Sequence, residues 1–269
     1  MIKRERLEST FSLESADRTP VLGGWIACPE HIITLAGTDE QTYWDDPISV
    51  TIEAYKALDV DGVIDLFVPR NRDDFRCVDH ESYASSDGSM SYAEACEWVD
   101  GKDNPEVVES RFDFDAEYEA FTTSLRASQE LCGDLVWMPA RWMAGARVSW
   151  YQDIGYENFF AMVGLDPDRV RKLLEIGGAQ GRIHSRLIAR AVTDGFSPHA
   201  VLLGEDICTQ RGPMISPDFL EKYYKPQLAY GLEPLLEVGC QPVWHCDGDV
   251  RQLLDMLIDA GVCGLQGFQ

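Results

Sequence analysis

The chain has 269 residues, enough for one large α/β domain or two small ones. Apolar residues make up 45% and charged residues 26%, an ordinary globular composition, but 46 acidic side chains against 23 basic ones leave a net charge of -23. That balance argues against nucleic acid and against an anionic membrane surface as partners, because both need a basic footprint.

The N-terminal stretch, Met1-Ile-Lys-Arg-Glu-Arg-Leu-Glu, reads as a charged helix start and not as a signal peptide. Lys3 to Leu13 has amphipathic spacing, and Asp17-Arg18-Thr19-Pro20 turns the chain into a first strand, Val21 to Ile26. Cys28-Pro29-Glu30-His31 reads as a loop at the carboxyl end of that strand. Asp45-Asp46-Pro47 opens a helix over Ile48 to Leu58, and Gly62 to Val68 is a second strand. Between Pro69 and Pro105 the pattern weakens, and Asp87-Gly88-Ser89 predicts a hairpin turn in an excursion over 69–105.

Helical spacing returns at Asp113 to Leu131, followed by a third strand, Leu135 to Ala140, and the run Arg141 to Ala146. Tyr156 to Val163 and Pro167 to Ala191 are helices, the second with Asp166 as a cap and Pro167 at its first position. The fourth strand, Val201 to Ile207, contains two adjacent carboxylates, Glu205 and Asp206. A helix begins at Ser216-Pro217 and runs to Val238. The fifth strand, Pro242 to Asp247, climbs into His245, Cys246 and Asp247 before Gly248 breaks it, and Val250 to Leu257 is helical. Gly261 to Gln269 is the sixth strand. No apolar run approaches the roughly 20 residues of a membrane span.

Strands alternating with helices predict a parallel sheet clothed by helices, and periodicity alone does not separate an open sheet from a closed barrel. No GxGxxG or P-loop follows any strand, which removes the commonest nucleotide sites. Eight cysteines form no CxxC pair and several sit inside apolar runs, so a reduced cytoplasmic chain with mostly buried thiols is expected.

In parallel α/β proteins, active sites gather at the carboxyl ends of the strands. His245 and Asp247 point to one face if the backbone is extended, and Cys246 and Trp244 to the other. His245 and Asp247 are therefore candidate metal ligands or an acid/base couple. Glu205 and Asp206 are candidates for catalysis with Asp247, one of the adjacent pair facing the site. Cys28, Arg141, Trp142 and Gln266 follow or end strands and are candidates to line a substrate pocket.

The run Leu203-Gly-Glu-Asp-Ile-Cys-Thr-Gln-Arg-Gly-Pro-Met-Ile-Ser-Pro217 resembles the core of the uroporphyrinogen decarboxylase superfamily. So do Tyr224-Lys225-Pro226, Gly239 and His245-Cys246-Asp247-Gly248-Asp249, with a fainter likeness in Arg4 to Leu7 and Asp17 to Val21. The resemblance spans essentially the whole chain and implies a single (β/α)8 TIM-type barrel domain over 1–269. Its last two βα units are absent, so the chain is expected to be C-terminally incomplete.

That superfamily holds two chemistries. Its decarboxylases carry an Arg-rich loop after the first strand, where this chain has Trp25-Ile-Ala-Cys-Pro-Glu-His31. They also place an Asp at the end of the second strand, matched here to Val68, with Asp65 three residues earlier. The other branch consists of zinc-dependent methyltransferases that exchange a methyl group with a corrinoid cofactor or corrinoid protein, and its fingerprint resembles His-x-Cys after the fifth strand. This chain keeps His245 and has Asp247 where the Cys would stand. The resemblance thus implies a metal-dependent methyltransferase. Zinc would be held by His245 and Asp247 with one of Glu205 and Asp206, acting on a small-molecule methyl donor or acceptor with a corrinoid partner. A homodimer is compatible with it. The alternatives are metal-free decarboxylation of a porphyrinogen or other carboxylated molecule, and a non-catalytic barrel that binds a corrinoid or a partner.

Overall fold

The computed structural model of the chain describes residues 1–72 and 90–267. They group into two compact units. One holds 1–72, 120–140 and 195–200; the other holds 90–119, 141–194 and 201–267. The hairpin expected at Asp87-Gly88-Ser89 lies outside the described residues.

The first unit is built on three parallel strands in the order β1 (Leu22–Gly23), β2 (Gly62–Ile64) and β3 (Val136–Met138). Helices Lys3–Phe11, Pro29–Ala36, Glu40–Asp45 and Pro47–Ala57 belong to it. The segment read as a loop at Cys28 to His31 instead starts a helix, because Pro29 supplies the pre-set φ of a first helical position and Glu30 suits the helix dipole. Asp46 caps the helix after it by accepting from the Ser49 amide at 3.1 Å. Ile32, Tyr43, Ile52, Tyr55, Val63 and Leu135 form the core, all fully or nearly fully buried.

A carboxylate is buried beside them. Asp61, just before β2, has no exposed side-chain surface. Its carboxylate accepts from Arg6, from Arg18 at 2.6 Å and from the Val21 amide at 2.9 Å. The same group thereby ties the start of β1 to the start of β2. Every lone pair has a donor, as a buried carboxylate requires.

In the second unit β4 (Ala200–Gly204), β7 (Gln241–His245) and β8 (Gly264–Gln266) form another three-stranded sheet, with β7 and β8 parallel and His245 in register with Gln266. Ala200 itself is counted with the first unit. A ribbon of β5 (Cys208–Thr209) and β6 (Gly212–Pro213) follows β4. Helix Tyr92–Asp100 lies within the span read as an irregular excursion, and helix Pro105–Ser110 begins at its last residue. The long helix Pro167–Thr193 runs two residues past its expected end. Its expected cap does not form: the Asp166 side chain pairs with Arg169 instead.

A glycine stripe fixes the loop that matters for the site. A Cβ on Gly181 of the long helix would stand 1.9 Å from the Gly145 carbonyl oxygen, and one on Gly231 of helix Lys225–Glu237 would stand 1.5 Å from it. Only glycine lets both helices close on the 144–147 backbone. Tyr224 then donates to the Ala146 carbonyl at 3.2 Å, and the Gly145 amide donates to the Ser185 hydroxyl at 3.2 Å.

The expected closed (β/α)8 barrel does not form. More than half of the chain is helical, and the eight short strands make separate sheets of three, three and two strands, with no closed barrel among the described residues. The strands are two to five residues long. Asp65 after β2 and Gly204 at the end of β4 have φ of +45° and +111°, and Pro139 after β3 has no amide hydrogen. Each of these stops an extended ladder where a barrel strand would continue.

Candidate metal centre

The carboxyl ends of β4 and β7 carry the second unit's reactive side chains. Positive φ at Gly204 turns the chain out of β4, so Glu205 and Asp206 take different environments. Glu205 turns to the 148–149 backbone, where its carboxylate accepts from the amides of Val148 at 2.8 Å and Ser149 at 2.5 Å. Burial of the carboxyl outweighs those two donors and pushes its pKa up to about 7. Asp206 turns to His245 instead: its Oδ1 lies 3.4 Å from His245 Nε2 and accepts from the Asp247 amide at 2.8 Å. Those bonds, led by the one to His245, hold the Asp206 carboxyl below its ordinary range despite partial burial.

His245 is the last residue of β7, and its side chain is 15% exposed. Its Nδ1 lies 2.5 Å from Oε1 of Gln266, directly across the parallel ladder. An amide oxygen only accepts, so Nδ1 carries a hydrogen; in the protonated ring Nε2 donates to Asp206, and in the neutral ring the Nε2 lone pair is left to ligate a metal. Burial pulls the ring pKa down, but the bonds to Asp206 and Gln266 and the nearby carboxylate charge carry it above its ordinary value. Trp142 stands edge-on to the same ring, centroids 5.5 Å apart.

Asp206, His245 and Asp247 each offer one ligating atom, and the three atoms all lie within 4.8 Å of one another. Gly267 (φ +86°) borders this space: a Cβ there would stand 2.8 Å from both Asp247 Oδ1 and His245 Nδ1. The donor set of one imidazole and two carboxylates suits a divalent ion such as zinc, and a hydrogen-bonded second ring nitrogen is what a ligating histidine ordinarily has.

The remaining expected residues are distributed as follows. Cys246 turns away from the cluster, is 1% exposed, and accepts from the Ile207 amide at 3.4 Å. The Cys208 side chain beside it lowers the Cys246 pKa, and Cys246 raises that of Cys208. Arg141 lies 3.1 Å from His184 Nδ1 and not within the cluster. Cys28 belongs to the first unit, at the start of helix Pro29–Ala36, with its thiol 3.8 Å from Glu30. Sequence reading missed Gly267, Cys208 as the partner of Cys246, and Tyr151, whose hydroxyl donates to the Asp206 carbonyl at 3.0 Å. The Gln266-Gly267 pair after an apolar strand was the one available signal for the first of these.

No family model, curated protein or solved structure matches the chain. The chemistry of the site therefore rests on its geometry. No helix among the described residues is long and apolar enough to cross a membrane.

Proposed function

We propose that the protein is a metal-dependent methyltransferase of the uroporphyrinogen decarboxylase-like kind, exchanging a methyl group with a corrinoid cofactor or corrinoid protein. The observation that carries the metal reading is the gathering of Asp206, His245 and Asp247 within 4.8 Å, with Gln266 holding the ring nitrogen that does not face the cluster. The methyl-transfer reading is supported by the resemblance of His245-x-Asp247 to the His-x-Cys of the zinc-dependent branch.

Asp206, His245 and Asp247 would hold the ion, which when bound supplies a Lewis acid for the group that gains or loses the methyl. The two carboxylates match the charge of a divalent cation. Asp247 in place of a thiolate makes a harder donor set than one containing sulfur, favouring an oxygen- or nitrogen-bearing substrate group over a thiol. Gln266 keeps Nδ1 protonated and the ring oriented, Trp142 packs against one edge of it, and Glu205 anchors the 148–149 backbone beside β4. A porphyrinogen with many carboxylates would meet two carboxylates in this cluster, and Arg141 is engaged with His184.

Zinc titration of the full chain, followed by metal analysis after gel filtration, tests the site. About one equivalent is expected, falling to background in His245→Ala. Substoichiometric zinc unchanged by His245→Ala overturns the metal reading. Methylcob(III)alamin then tests the reaction: its absorbance spectrum should change on incubation with zinc-loaded protein and a methyl acceptor. A zinc-loaded protein that leaves it unchanged with oxygen, nitrogen and sulfur acceptors alike overturns methyl transfer while leaving the metal site standing.

A further inference from the structure

Two buried thiols lie directly behind the cluster, and nothing in the reaction proposed above uses them. Cys208 is 8% exposed and Cys246 is 1% exposed. The segments that carry them run side by side. The Asp247 amide donates to Asp206 Oδ1 at 2.8 Å, the Asp249 amide to the Thr209 carbonyl at 2.9 Å, and the Ile207 amide to Cys246 Sγ at 3.4 Å. Gly248 allows this approach, since a Cβ there would stand 2.7 Å from the Thr209 carbonyl oxygen and 3.2 Å from the Cys208 carbonyl carbon. The two side chains are near enough to act on each other's acidity, the Cys208 pKa being raised and that of Cys246 lowered. Each cysteine also sits within two residues of a ligating side chain: Cys208 follows Asp206 by two, and Cys246 lies between His245 and Asp247.

We propose that Cys208 and Cys246 form a reversible disulfide under peroxide, and that this bond disperses the Asp206–His245–Asp247 cluster. The second half rests on the metal reading; the first does not. The oxidant is a hydroperoxide. The Cys246 sulfur attacks one peroxide oxygen and the O–O bond breaks, giving a sulfenic acid and water. The Cys208 sulfur then attacks the Cys246 sulfur, the S–O bond breaks, and a second water leaves with the last thiol proton. Two thiols and one hydrogen peroxide thus become one disulfide and two waters, with two electrons passing from sulfur to oxygen. A dithiol reverses the step by exchange.

Hydrogen peroxide is small enough to suit buried thiols. The ribbon that carries Cys208 is two residues long in each strand, so opening it disrupts far fewer contacts than opening the core. An S–S bond of about 2.05 Å is much shorter than any hydrogen-bonded contact between the same sulfurs. Closing it draws the 206–208 and 245–247 backbones together. Metal ligands tolerate displacements of only about 0.2 Å, so the three donors lose their common focus.

The test treats full-length reduced protein with stoichiometric hydrogen peroxide, blocks the remaining thiols, and maps disulfides by mass spectrometry of peptides. Zinc affinity is measured before and after. The expected result is a Cys208–Cys246 link, a drop of at least tenfold in zinc affinity, and recovery with dithiothreitol. Cys208→Ser should keep its zinc affinity through the same treatment; if that variant fails to fold, Cys208→Ala replaces it. Free Cys208 and Cys246 after oxidation, sulfinic acid at either, or a linked pair with zinc affinity within twofold of the reduced protein each overturns the proposal. Should the reduced protein bind no zinc, the metal reading fails and the dispersal with it, and the peptide map alone decides the disulfide.

Discussion

Gln266 on β8 accepts the Nδ1 hydrogen of His245 on β7, and Nε2 of the same ring faces Asp206 on the other side. Strand register puts the amide and the ring opposite each other, so one hydrogen bond sets both the tautomer and the angle of the imidazole. The next backbone rung, from the Cys246 amide to the Gln266 carbonyl at 3.1 Å, holds the strand end in place.

Removing that bond should weaken the site without unfolding the chain. Gln266→Ala is expected to lower zinc affinity about 10- to 100-fold, the usual cost of losing a group that orients a ligating histidine. Titration calorimetry reads the change, with circular dichroism as the control for folding. Unaltered affinity would mean that Gln266 is a packing residue only.

Gly267 is expected to tolerate no side chain. At φ +86° any L-residue is strained, by about 1–2 kcal/mol for alanine. The added methyl also lies 2.8 Å from Asp247 Oδ1 and from the His245 ring. Gly267→Ala should lose zinc binding more than tenfold while its urea midpoint falls only slightly. A variant that binds zinc like the parent contradicts the placement of this residue at the cluster.

Asp61 should matter for stability and not for zinc. Its carboxylate gathers Arg6, Arg18 and the Val21 amide in the first unit, and those donors keep its pKa low even though burial opposes them. Asp61→Asn leaves arginine charge without its partner and is expected to cost about 3–5 kcal/mol. Urea unfolding of the variant measures this; a loss below 1 kcal/mol would show that the network relaxes onto Asp17 and Asp59. Because the Asp61 pKa is depressed in the folded state, its contribution is present above the ordinary carboxyl value and is lost as pH falls through the folded one.

His184 gives the chain a second acid-sensitive point. Burial, reinforced by the Arg141 charge, lowers its pKa from 6.5 to about 4. The unfolded chain therefore takes up a proton near pH 6.5 that the folded chain refuses until about pH 4. Stability is full above pH 6.5 and declines between those values, by about 3 kcal/mol. His184→Gln, which can still accept from Arg141, should lose about that much less stability between pH 7 and pH 4 when both proteins are unfolded in urea. Equal losses in the two proteins would remove His184 as the cause.

Much of the helical framework was legible in the chain. The long helix was expected over Pro167 to Ala191 and is found at Pro167–Thr193, because 3.6-residue apolar spacing sustained over many turns is a local signal. The strand cores at 22–23, 62–64, 136–138, 200–204 and 241–245 fall within or within a residue of their expected spans, because a short apolar run bounded by turn residues is likewise a local signal. The helix at Pro29–Ala36 was missed because proline beside a cysteine and a glutamate reads equally well as a turn. Barrel closure was expected from a resemblance and is not what the strands do, since pairing between strands far apart in sequence leaves no mark on either one's own pattern.

The candidate site divides along the same line. The residue types and their order, His245 and Asp247 two apart at a strand end with Glu205 and Asp206 adjacent at another, belong to the sequence alone. Only the tertiary structure decided that Asp206 joins the histidine while Glu205 turns to the Val148 and Ser149 amides. It also decided that Gln266 holds the ring and that Cys246 meets Cys208. The physical reason is that a one-residue step reverses a side chain's direction on a strand, but beyond Gly204 the backbone leaves the strand and that rule lapses. From there the direction each carboxylate takes is set by the donors that the folded chain brings within reach.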